Sequence, residues 1–97
     1  MPKGYWIGHV DVENAANYPD YMKAAQPAYE KYGAKFIVRG GKCDQVEGEG
    51  RGRHVVVEFD SYETAVACYN SPEYQAAARI RRANSIGDIL IVEGAGE

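Results

Sequence analysis

Two hydrophobic rhythms alternate along this chain, in the order strand, helix, strand, strand, helix, strand, and that order leaves few folds open. Alternation of period two, rich in aromatic and β-branched residues, marks Tyr5 to Val12, Lys35 to Gly40, Arg53 to Phe59 and Asp88 to Glu93. Between the first two strands Tyr18, Tyr21, Met22, Ala25, Tyr29 and Tyr32 recur at spacings of three and four, the mark of one buried helical face. Asn14 and Asn17 are the candidate N-caps, and Gly33 supplies the left-handed residue that ends many helices. Pro27 falls inside this pattern, where a lost backbone donor costs ~3 kcal/mol, so a kink or break is expected there. After the third strand Asp60 or Ser61 caps a second helix, with Glu63 placed as in a capping box, and Tyr62, Ala65, Val66 and Tyr69 form its inner face. Ser71-Pro72 then breaks that helix and restarts it to about Ala83. Gly40-Gly41 allows a bulge and an extension of the second strand through Cys43 and Val46, residues 47–52 form a loop, and the tail from Gly94 to Glu97 is expected to fray.

A βαββαβ order predicts an α+β ferredoxin-like sandwich, in which right-handed crossovers place the helices on one face of a four-stranded antiparallel sheet. Alternation assigns Trp6, Gly8, Val10 and Val12, then Phe36, Val38 and Gly40, then Val55, Val57 and Phe59 to the face beneath the helices. The opposite face receives Tyr5, Ile7, His9 and Asp11, then Ile37 and Arg39, then His54, Val56 and Glu58. In the last strand both sets, Ile89 with Ile91 and Leu90 with Val92, are apolar. Leaving such a face wet forgoes ~1.5 to 3 kcal/mol per large apolar side chain as an upper estimate. A second copy of the chain is its natural cover, so a homodimer is expected.

Composition narrows the function classes. The chain has 97 residues, enough for a single domain over 1–97 with little core to spare. With 45% hydrophobic and 26% charged residues, neither disorder nor a membrane association is indicated, and no apolar run approaches the ~20 residues of a spanning helix. The Met1-Pro2-Lys3-Gly4 opening lacks the pattern of a signal peptide, so a cytoplasmic location is expected. A formal charge of −3 gives no general attraction to nucleic acid. Cys43 and Cys68 form no Cys-x-x-Cys pair and read as free thiols; no metal-ligand spacing stands out, and no cofactor motif is expected. The Gly48-to-Arg53 run leads into a strand rather than a helix and carries an acid, which argues for a flexible hairpin over a phosphate loop. Arg79, Arg81 and Arg82 crowd the end of the last helix, where cations oppose its dipole and an anion site is a secondary reading.

Two constellations are candidates for chemistry. The alternation puts His9, Arg39, His54 and Glu58 on one face, where His9 and Arg39 are the candidate catalytic pair, one to move protons and the other to hold an anion. More often such groups are ion pairs across a dimer interface or solvated strand ends. Trp6, Tyr18, Tyr69 and Tyr74 are the candidate substrate-binding residues, since an aromatic cleft with a few hydroxyls suits a small, largely apolar ligand. An aromatic stripe of this kind is more often simply core.

Several segments together resemble one bacterial family. These are Gly4-Tyr5-Trp6-Ile7, Lys31-Tyr32-Gly33, Val38-Arg39-Gly40-Gly41, Glu58-Phe59 followed by Ser61, Tyr69 through Gln75, and Asp88 through Gly94. In combination they resemble the uncharacterised family called domain of unknown function 1330, across essentially the whole chain. The resemblance implies a dimeric α/β-barrel in which two sheets pack face to face. Relatives of that superfamily include cofactor-free monooxygenases, haem-degrading enzymes and isomerases, and a shared fold does not choose among them. Haem is disfavoured, because no histidine falls on a helix near the cleft. The leading expectation is a small enzyme acting without a bound cofactor on an aromatic or acidic metabolite held between helices and sheet. The alternative is a non-catalytic dimeric small-molecule-binding or stress-related module.

Overall fold

The computed structural model describes residues 2–96; Met1 and Glu97, which bound the expected opening and fraying tail, lie outside it. The elements run β1 (Gly4–Val12), α1 (Tyr18–Tyr32), β2 (Lys35–Arg39), β3 (Arg53–Phe59), α2 (Tyr62–Asn70), α3 (Pro72–Asn84) and β4 (Ser85–Glu93). The strands form one antiparallel sheet in the order β2-β3-β1-β4. This is the α+β ferredoxin-like arrangement, with the second helical segment split in two at Ser71-Pro72 as the proline and its cap require.

The core lies between the sheet and the helices, with Trp6 at its centre. Its indole packs edge-on against Tyr29, Tyr69 and Tyr74 and tilts against Phe59, with centroid separations of 4.7 to 6.1 Å. The indole N–H donates to the Ala65 carbonyl at 2.9 Å, so a polar atom taken from water on β1 is satisfied by α2. Ala25, Ala28, Ala65, Ala77 and Ala78 are fully buried, and their small side chains let the helices approach the aromatic layer.

Four local expectations are corrected and one pair of alternatives is decided. α1 runs through Pro27 without a break; Pro27 and Lys23, whose carbonyl loses its partner, both lie on the exposed side of the helix, where the loss costs least. Asn17 occupies the N-cap position but makes no capping bond; its side chain reaches Asn84 instead, at 3.3 Å. Ser61 rather than Asp60 caps α2, accepting from the Thr64 N–H at 3.0 Å. β4 starts three residues earlier than expected, and β2 ends at Arg39 with no extension through Cys43 and Val46. At the C-terminal end, the Gly94 N–H donates to the Lys3 carbonyl at 2.7 Å, which holds the start of the tail to β1.

The correction with the largest effect on which residues share a face lies in β2. Phe36 pairs with Val57, but Val38 pairs with Val56 and Arg39 with Val55, so one residue, Ile37, is bulged out of register. Because side chains alternate with period two, one extra residue turns every later side chain to the other face. Val38 therefore joins the open face and Arg39 the face beneath the helices, the reverse of the alternation-based assignment.

Ser71 is a joint between two helices. Its hydroxyl donates to the Cys68 carbonyl at 2.7 Å and accepts from the Tyr74 N–H at 3.2 Å. Ser71→Ala is expected to cost about 1 kcal/mol, the usual value of an N-cap, read as a lower urea midpoint with an unchanged slope.

Candidate functional site

A cleft opens between α1 and the β3–β1 part of the sheet. Its floor is Trp6, Gly8, Val55, Val57 and Ile89 with Phe36 at the side; Tyr18, Tyr21, Met22 and Tyr29 of α1 form its roof, and Tyr74 of α3 closes one end. Arg39 and Arg53 complete the lining and are its only charged members. The cleft is narrow: about 40 Å³ is open to the centre of a water-sized sphere, and about 490 Å³ is free of protein atoms when the open solvent at its mouth is included. Gly8 helps to keep the floor low, since a Cβ there would stand 3.1 Å from a Val55 methyl.

Of the sequence-derived site residues, the structure brings Trp6, Tyr18, Tyr74 and Arg39 together in this cleft. Tyr69 stands behind them, its ring 5.8 Å from Trp6 and 5.5 Å from Tyr74, and does not line the cleft. His9 is on the other side of the sheet, so His9 and Arg39 do not converge; the bulge at Ile37 separates them. His9 instead faces His54, and near them lie Asp11, Asp88 and Arg51. Arg53 was not among the expected residues, although the alternation that assigns Val55, Val57 and Phe59 to the helix face assigns Arg53 there too.

The cleft holds a hydroxyl network. Tyr21 shares hydrogen bonds with Tyr74 at 2.8 Å and with Tyr29 at 3.2 Å. Burial, reinforced by the neighbouring phenols, pushes all three well above the ordinary tyrosine value, so they remain neutral donors near neutral pH. Behind them Arg81 is only 6% exposed, its guanidinium 6.0 Å from the Tyr21 ring centroid. Burial opposes its charge, but the Tyr74 and Tyr21 hydroxyls hold it above its ordinary value. Arg79 is exposed and Arg82 donates to Gln75 at 3.0 Å, so the three helix-end arginines diverge and form no common anion site. Burial pushes the Cys68 thiol up to about 12, which leaves it a packing group.

Positive charge around the cleft is not compensated by protein carboxylates. Among the described residues the ion pairs are Lys3 with Asp60, Lys31 with Glu73, and Arg51 with Asp11 and Asp88; none involves Arg39, Arg53 or Arg81. Arg39 lies 4.2 Å from the Phe36 ring centroid and Arg53 5.9 Å from that of Tyr18, cation–π contacts that leave the N–H donors free. The buried Nε atoms of Arg53 and Arg81 have no hydrogen-bond partner. An unpaired buried donor of this kind carries a desolvation penalty that an anionic ligand would remove.

The family described as "Domain of unknown function (DUF1330)" matches residues 3–95. The chain belongs to this family. No curated protein matches it. Among solved structures, this DUF1330 chain resembles a protein of unknown function from Rhodopseudomonas palustris, with a TM-score of 0.79 and 17% identity over 99% of this chain and 85% of that one. It also resembles SnoaB, a cofactor-independent oxygenase from Streptomyces nogalater, with a TM-score of 0.64 and 10% identity over 95% of this chain and 92% of the other. A dimeric protein of unknown function and ferredoxin-like fold from Bacteroides fragilis follows, with a TM-score of 0.57 and 14% identity over 94% and 95% of the two chains. At these identities the likeness is one of fold, and the DUF1330 cleft must be read from its own residues.

The raised phenols fix a pH dependence. Unfolded tyrosines ionise near ~10 while the three buried ones resist ionisation, so their contribution to stability is complete below ~10 and falls as the pH rises beyond it. Tyrosinate absorbance at alkaline pH is expected to appear in two stages, the second coinciding with loss of the near-ultraviolet circular dichroism. A single stage complete before unfolding would contradict the buried network.

Proposed function

We propose that the cleft binds a small aromatic molecule carrying an acidic group, and that the protein acts on it as an enzyme without a bound cofactor. The observation that carries this reading is the pair of guanidiniums, Arg39 and Arg53, set without carboxylate partners in a cleft otherwise lined by aromatic and aliphatic side chains. An aromatic ring suits the Trp6, Tyr18 and Phe36 surfaces, and a carboxylate or phenolate suits the arginines, with charge-assisted hydrogen bonds about twice as strong as neutral ones. Neutral phenols and guanidiniums are suited to stabilising negative charge that develops on an oxygen.

No carboxylate, imidazole or thiol lines the cleft. A reaction there therefore calls for a substrate acidic enough to enter as its own anion, or to yield a proton to water, such as a phenol or an enolisable carbonyl. The description of SnoaB as a cofactor-independent oxygenase is consistent with chemistry carried by the substrate itself. The absence of a cleft base equally favours the second reading, capture of the same ligand without turnover.

Trp6 is the chain's one tryptophan and lies in the cleft, so its fluorescence reports occupancy directly. Benzoate and 4-hydroxybenzoate are expected to change it saturably and benzamide much more weakly. Arg39→Gln or Arg53→Gln should weaken benzoate about tenfold or more, matching loss of one hydrogen bond to a charged group. Equal binding of benzoate and benzamide would remove the anionic part of the reading. Turnover of a hydroxyaromatic acid would decide for the enzyme over the binding module.

We also propose that the open face of the sheet pairs with that of a second copy. Val38, Val56, Ile7 and Leu90 stand in register as an apolar row across all four strands, with Val38 43% and Leu90 49% exposed. The description of the Bacteroides fragilis neighbour as dimeric supports this packing. Light scattering at micromolar concentration is expected to give twice the 10.7 kDa chain mass, and Leu90→Glu to give a folded monomer. A monomeric wild type would overturn the proposal.

A further inference from the structure

His9 and His54 stand directly opposite each other on β1 and β3, and their Nδ1 atoms are 2.7 Å apart. Two imidazole nitrogens at that separation share one proton: one ring donates from Nδ1 and the other accepts on Nδ1. Neither side chain has another hydrogen-bond partner among the described residues. The rings meet edge to face, with centroids 4.9 Å apart, on adjacent strands whose pairing fixes their spacing.

We propose that His9 and His54 form a chelating site for a divalent late-transition ion of the zinc or copper class. Metal–nitrogen bonds of about 2.0–2.1 Å at right-angled to tetrahedral geometry put two ligand nitrogens about 2.9–3.4 Å apart. The existing separation is within a few tenths of an ångström of that range, so the rings need only a small opening to admit the ion. The bridging proton moves to Nε2 of its own ring, which leaves both Nδ1 lone pairs to the metal with no change in ring charge.

The surroundings favour a cation. Asp11, Asp88 and Glu49 border the pair against one guanidinium, that of Arg51. Arg51 donates to Asp11 at 3.1 Å and to Asp88 at 3.2 Å, and Asp11 also accepts from the Gly52 N–H at 2.8 Å. These bonds hold the carboxylates in place as neighbours rather than as ready ligands. Among the described residues no group of three or more His, Cys, Asp and Glu side chains is gathered to hold a metal. The site is therefore a two-imidazole chelate whose other positions belong to water, and the open hollow beside the pair has room for them. Imidazole donors favour copper and zinc over harder ions such as magnesium and calcium.

The test uses untagged protein carrying Cys43→Ser, because Cys43 is an exposed thiol that would compete for the metal. Isothermal titration with Zn²⁺ is expected to show one saturable ion per chain, and to show none with Mg²⁺. His9→Ala and His54→Ala should each abolish binding while retaining the circular dichroism of the parent. Imidazole nitrogen resonances of both histidines should shift together in the unmutated pair, a readout that needs no variant to fold. Absence of saturable binding, binding that survives both substitutions, or Zn²⁺ binding without a shift of those resonances would each overturn the site. Repeating the titration on Leu90→Glu separates it from the proposed pairing of sheet faces.

Discussion

The packing of one indole against four rings holds this fold together. Trp6 lies on the central strand β1, its ring meets side chains from α1, α2, α3 and β3, and its N–H is spent on a carbonyl of α2. A chain of 97 residues has little apolar surface to bury, so a single large side chain that reaches every layer contributes out of proportion to its number. The surrounding alanines follow from it: with so much aromatic volume between sheet and helices, the remaining helix positions must be small if interior density is to be reached without strain. The cleft is the part of this layer left incomplete, where Gly8 adds no side chain to the floor.

Much of the architecture was legible because it rests on periodicity. Alternation in β1 and β3, the three-and-four spacing of the tyrosines in α1, and the Ser71-Pro72 restart each reflect local geometry that tertiary contacts reinforce. The same pattern brought Trp6, Tyr18 and Tyr74 to the cleft. What it missed depends on interactions between elements. Nothing in Lys35-Phe36-Ile37-Val38-Arg39 itself requires a bulge, because Phe36, Ile37 and Val38 are good strand formers and no Gly or Pro interrupts them; the register is decided by pairing with β3. The unbroken α1 at Pro27 likewise depends on which side of the helix meets water, a property of the assembled fold. Arg53 had the right parity all along, but a cation at the start of a strand reads as a solvated end until the cleft is seen to open beside it.

The two faces of the sheet divide the charged chemistry between them. Beneath the helices stand unpaired guanidiniums and neutral phenols, all able to give hydrogen bonds and none able to take a proton as a strong base. On the other side lie two imidazoles and several carboxylates around a single guanidinium, that of Arg51. A sheet one residue thick thus separates donor-rich and acceptor-rich surfaces in a protein whose formal charge is only −3. The separation costs stability on the cleft side, where Arg53 and Arg81 keep buried donors unsatisfied. Such costs are common where a site is shaped for a ligand rather than for the empty protein.

The bulge at Ile37 makes that division adjustable. β2 is an edge strand, bonded on one side only, so drawing Ile37 back into regular pairing would disturb a single ladder and leave the Trp6 core in place. Yet the same change moves Arg39 from the cleft to the outer surface and returns Val38 inward, exchanging a cationic wall for an apolar one in one step. Chains of this architecture can thus change the lining of the cleft by gaining or losing a bulge in an edge strand, without substitution of any residue. Position-by-position alignment of two such chains will pair residues from opposite sides of the sheet wherever their bulges differ.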